Sequence, residues 1–91
     1  MLDDIKIALR IGAALGAFDT ELLNLILAAR RDLALSGVAP VMANSDTDPL
    51  IRRAITIYCK ANFGSDPDAD RYQRSYDALK TSLTLAGDYN V

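Results

Sequence analysis

Two dipeptides constrain this chain more than any other feature. Asp48-Pro49 and Asp66-Pro67 each follow a polar loop, and each stands just before an apolar stripe of helical spacing. Aspartate is a strong helix N-cap because its carboxylate accepts the unpaired amide protons of the first turn. Proline at the first helical position costs no hydrogen bond, since that N–H would be unpaired anyway. A proline at these points also argues against a central strand. Apolar alternation with period two is sustained nowhere, whereas helical spacing recurs four times.

The first stripe covers residues 2–11, with Leu2, Ile5 and Leu9 in register and Ile7 and Ile11 widening it. Asp3 and Asp4 sit at its start, where the helix dipole favours negative charge. Residues 12–18 read as a glycine-flanked loop. The second helix is expected to open with Asp19 as N-cap, carry Glu21 in its first turn and end at Ser36, closed by Gly37. Leu22, Ile26, Ala29 and Leu33 form its stripe, and Leu23, Leu25 and Leu27 extend well past it. Its polar side is narrow, so it is expected to be buried on more than one side. Residues 38–47 read as loop. The third helix is expected over 49–63, with Leu50, Ile51, Ala54, Ile55, Tyr58 and Ala61 or Asn62 inward and Arg52, Arg53, Thr56 and Lys60 outward. The fourth opens at Ser65-Asp66-Pro67 and aligns Ala69, Tyr72, Tyr76, Leu79 and Leu83. It should end near Leu85, leaving a short mobile tail over 86–91. The expectation is one all-α domain over 1–91, a small bundle of about four helices with short loops. Leu22, Leu23, Ile26, Leu33, Ile51, Ile55, Tyr58, Tyr72, Tyr76 and Leu79 should form its core or its interfaces.

Composition narrows the chemistry. Histidine is absent, which excludes histidine bases and histidine-containing zinc sites. One cysteine, Cys59, excludes an intrachain disulfide and is expected to be structural. Ten Lys and Arg against twelve Asp and Glu leave a net charge of −2, which disfavours a free-standing nucleic-acid-binding module. The N-terminus lacks the pattern of a signal peptide. The apolar run over 22–29 is far too short to span a bilayer, so no membrane role is expected and synthesis should be cytoplasmic.

No catalytic grouping emerges. Asp66, Asp68 and Asp70 resemble a metal-binding run by type, yet Pro67 interrupts it and no distal glutamate follows, so cap and dipole roles account for them. Gly12 and Gly16 lack the Gly-Lys-Ser/Thr of a phosphate loop. The expectation is no enzyme, no cofactor and no metal. One charge feature stands out: residues 49–63 carry Arg52, Arg53 and Lys60 and no acid. This is either a solvated face or a weak, sequence-independent contact with a nucleic-acid backbone.

The ordered segments carry a resemblance. The second helix reads Leu22-Leu23-x-Leu25-Ile26-x-Ala28-Ala29-x-x-Asp32-Leu33-x-x-Ser36-Gly37-Val38. The third reads Asp48-Pro49-Leu50-Ile51-x-x-Ala54-Ile55-x-x-Tyr58-x-Lys60-Ala61-Asn62-Phe63-Gly64, and the fourth Arg71-Tyr72-x-x-Ser75-Tyr76-x-x-Leu79-Lys80. Together they resemble the small head–tail connector, or DNA-packaging, proteins of tailed phages and prophages. The resemblance implies a non-enzymatic virion protein at the head–tail junction, made in the bacterial host. It implies a ring of copies beneath the portal protein that extends the DNA channel, lies close to the packaged DNA and receives the next connector or tail protein.

Size fits a partner-dependent chain. A protein of 9.9 kDa should bury only about 64% of its unfolded surface, and sharing apolar surface between copies would reinforce so thin a core. Two other readings compete: a small helical DNA-binding regulator, and a host-directed helical protein such as an inhibitor or antitoxin. The negative charge and the Ser65-Asp66-Pro67 helix start count against a recognition helix.

Overall fold

Each helix start follows from which group satisfies the first-turn amides. The computed structural model describes residues 1–12 and 16–91 and contains α1 (Leu2–Ala8), α2 (Asp19–Ser36), α3 (Pro40–Ala43), α4 (Pro49–Asn62) and α5 (Ala69–Leu85). The described residues contain no strand, and the fold is all-α. At α4 the expected cap is present: the Asp48 carboxylate accepts from the amides of Leu50 and Ile51, both at 3.1 Å. At α2 it is not. Phe18 occupies the N-cap position, and Asp19 instead accepts an ion pair from the buried Lys6 of α1 at 2.8 Å. At α5 the start is displaced. Asp66 accepts from the Asp68 amide at 2.8 Å, an Asx turn, and the helix begins three residues later at Ala69.

Two further differences concern the connections. Residues 38–47 are not all loop, because Pro40 starts the single turn of α3. The tail expected to be loose is tied down: the Ala39 amide donates to Tyr89 O at 2.7 Å, the Val91 amide to Gly37 O at 3.1 Å, and the Tyr89 hydroxyl to Asp48 at 3.0 Å. Gly37 lies in the left-handed region at φ +117°, and a Cβ there would sit 3.8 Å from Thr84 of α5. Glycine thus lets α2 end against α5. The loop expected over 12–18 falls partly outside the described residues, at 13–15.

The core gathers around α4, which packs against α1, α2 and α5. Ile51, Ala54, Ile55, Ile57 and Cys59 are all buried, so α4 is enclosed on several sides. The exception is Leu50, which was expected inward and lies exposed. From α2 come Leu22, Ile26, Ala29 and Leu33, from α1 Ile5, and from α5 Tyr76 and Leu83. Tyr58, Tyr72 and Leu79 pack half-buried against this cluster. Ile7, assigned to the first stripe, points outward instead. The short α1 turns Ile5 and Lys6 toward its neighbours, with Leu2 packed beside the core.

α2 does not enclose itself as its composition suggested. Leu23 is 46%, Leu27 64% and Leu35 79% exposed. The other helices cover one stripe of α2 and leave the rest of its apolar surface open.

Candidate interaction surfaces

Two surfaces stand out, on helices linked by partly buried polar contacts. Asp32 of α2 links to α5 through the Tyr76 hydroxyl at 2.6 Å and Lys80 at 3.0 Å. The Tyr76 ring meets Tyr58 of α4 edge-on, centroids 5.1 Å apart, and Lys80 lies over the same ring. Arg30 of α2 does similar work on the other side. Its guanidinium donates to the carbonyls of Ala43 and Ser45 at 3.0 and 2.9 Å and pairs with Asp46 at 2.6 Å. The segment after α3 is thereby fixed to α2.

The first surface is apolar. Leu23, Leu27 and Leu35 project from α2, and Val41 from the adjoining α3. Leu27, Ala34, Leu35 and Pro40, together with Arg30, Arg31 and Asn44, line an open groove of about 510 Å³. Leu23, expected in the core or an interface, belongs to this outer face.

The second surface is cationic and lies between α4 and α5. Arg53, Thr56, Ile57 and Lys60 from α4 face Arg71, Tyr72 and Ser75 from α5 across a groove of about 330 Å³. The Tyr72 ring carries two cations, Lys60 Nζ at 5.6 Å and the Arg71 guanidinium at 5.4 Å from its centroid. Such contacts hold flexible cationic side chains in a preferred direction. The sequence grouped Arg52, Arg53 and Lys60, and the structure separates them. Arg52 turns toward α1 and pairs with Asp4 at 3.1 Å, while Arg53 and Lys60 share the groove.

A family model described as phage connector protein matches residues 1–90. The chain belongs to this family. No curated protein and no solved structure gives a significant match to it. A connector works through contacts with other phage head and tail proteins, so the functional surfaces of this connector protein are its exposed faces. No helix among the described residues is long and apolar enough to cross a membrane.

The connector's single thiol is closed off from solvent. Cys59 is fully buried, and burial pushes its pKa up to about 12. A neutral thiol of this kind is a poor nucleophile. Sequence reasoning missed Arg71, which lies on a different helix from the cations it joins, and Leu35, which stands outside the counted stripe. Arg71 follows the acids of the displaced α5 start, and its position opposite Lys60 is set only by the packing of α4 on α5. Leu35 could have been found from its separation of eight residues from Leu27, which places the two within a quarter turn of one another.

Proposed function

We infer that this connector is a non-enzymatic subunit of the head–tail junction, repeated as a ring beneath the portal protein. The ring extends the channel through which DNA passes and presents a platform to the next connector or tail protein. The observation that carries the reading is the open apolar face of Leu23, Leu27, Leu35 and Val41 on a chain of the connector family. A monomer gains nothing from leaving such a patch in water. Placed against a different patch on the next copy, it makes a head-to-tail contact, and repeated head-to-tail contacts close into rings. Each contact can be weak, because closure makes the last ones intramolecular. Free subunits are then expected to remain monomeric until the portal organises them.

The test separates interface from core. Leu27→Asp and Leu35→Asp place charges on exposed positions and should leave the circular dichroism spectrum and melting temperature near those of the parent. Added to portal-bearing, DNA-filled heads, the double variant should fail to accumulate where the parent does. Normal accumulation of the double variant would remove this face from the assembly contact.

A further inference from the structure

We propose that the surface running from Arg53 across Lys60 and Arg71 to Arg10 is a track for the sugar–phosphate backbone of duplex DNA. The cations fall into two groups, paired and unpaired. Lys6, Arg30, Arg52, Arg71 and Lys80 pair with Asp19, Asp46, Asp4, Asp68 and Asp32. Among the described residues Arg10, Arg31, Arg53, Lys60 and Arg74 have no ion pair. Three of these, Arg10, Arg53 and Lys60, line two adjoining grooves that share Lys60 and Tyr72. Arg71 completes the set, and its pairing with Asp68 is an exposed contact at 3.2 Å that a stronger anion can displace. The opposing acid in the second groove is Asp66. On a chain of net charge −2, this is a local concentration of positive charge.

One of these cations occupies a position that favours glycine. Arg10 has φ +60°. It follows the end of α1, where the Arg10 amide donates to Ile7 O at 3.0 Å and the Ile11 amide to Lys6 O at 2.8 Å. This is the Schellman closure, whose left-handed residue is usually glycine because a Cβ crowds the backbone there. The chain instead carries an arginine whose residue lines the groove with Lys60 and Tyr72. Retained strain at a charged surface points to a role for the charge.

The form of the surface selects a polyanion over a single small anion. Arg53, Lys60 and Arg71 line one open groove, and Arg10 lies in a second that adjoins it through Lys60 and Tyr72, so the cations extend over two grooves. Arg53 and Lys60, seven residues apart on α4, are separated by about 10 Å along the helix axis. Long cationic side chains at that spacing reach different phosphates of a duplex, which carries about one negative charge per 1.7 Å of its axis. The pinning of Lys60 and Arg71 on Tyr72 reduces what must be ordered on contact. With charges in place and no base-reading element among them, the contact should be independent of DNA sequence. This inference rests on charge geometry and stands whether or not the subunits form a ring.

The experiment is an amide chemical-shift titration of the isotopically labelled full chain with a short duplex of mixed sequence, at low and at physiological salt. Shifts should concentrate at residues 53–60, 71–75 and 8–11, and affinity should fall steeply with salt. Arg53→Ala, Lys60→Ala and Arg71→Ala should each weaken binding and reduce the log–log salt slope by about one. Arg10→Gly should raise the melting temperature by a few degrees, by removing the strained Cβ, and yet weaken DNA binding, a divergence that a merely structural role would not produce. Absence of shifts at low salt, shifts on another face, or unchanged binding by Lys60→Ala and Arg10→Gly would overturn the proposal. Tighter binding to poly-glutamate than to the duplex would assign the surface to an acidic protein partner and overturn it equally.

Discussion

At the scale of single residues, the Asp32 carboxylate shows how this small core tolerates charge. Burial pushes its pKa up, and the Tyr76 hydroxyl and Lys80 together pull it further down, so that it lies below its ordinary value of 3.8. An acid held low in the folded state binds fewer protons there than in the unfolded chain. Its stabilisation is therefore present above the unfolded value and is lost as pH falls through the folded one. Because Asp32 is 37% exposed, solvent screens much of this effect. Tyr76 shifts the opposite way: burial, and then its bond to Asp32, push the phenol well above 10. Stability held by the neutral phenol is present below the unfolded value and declines as pH rises past about 10. Tyr76→Phe should cost about 1–2 kcal/mol and move the acid limb of unfolding toward higher pH. Urea melts across the acid range check this, and superimposable acid limbs would show that the hydroxyl does not hold Asp32. Cys59 should alkylate slowly in the native chain and fast in denaturant, since burial pushes its thiol up to about 12. Rapid native labelling would contradict the packing around it.

Among the elements, α2 and α4 carry the structure. Ile26 is nearly fully buried on α2, and Ile26→Ala should cost about 2–5 kcal/mol, read as a large drop in melting temperature. Asp48→Ala removes the α4 cap and the acceptor of the Tyr89 hydroxyl together, and should cost about 0.5–2 kcal/mol for the cap alone. A denaturant midpoint unchanged by Asp48→Ala would mean that another group caps α4. Asp48-Pro49 was legible because its side chain bonds locally, to amides two and three residues on. Asp66-Pro67 carries the same signal, but its carboxylate closes an Asx turn, so the helix starts later. α3 is too short for any periodicity to show. The tail is tied by backbone bonds to Gly37 and Ala39 and by Tyr89 to Asp48, partners far away in sequence. The inner stripes of Leu22, Ile26 and Leu33, Ile51 and Ile55, and Tyr76 were legible from period alone. Which outer residues stay open was not, because that depends on which neighbours cover them. For the same reason Arg53 and Lys60 could be read from one helix, whereas Arg10 and Arg71 meet them only after packing.

Taken as a whole, the molecule exposes 5443 Å², slightly more than the roughly 5,200 Å² expected of a folded monomer of its mass. Part of that surface is the leucine face of α2, and part is the cationic track between α4 and α5. On the proposed function the first would meet neighbouring copies, and on the further inference the second would lie beside DNA. The most direct test is electron microscopy of DNA-filled heads that bear the portal, with and without the purified protein. An added ring of density beneath the portal, built from many equivalent copies, is expected. A single bound copy, or binding only to free DNA or to a host protein with the heads left bare, would contradict it.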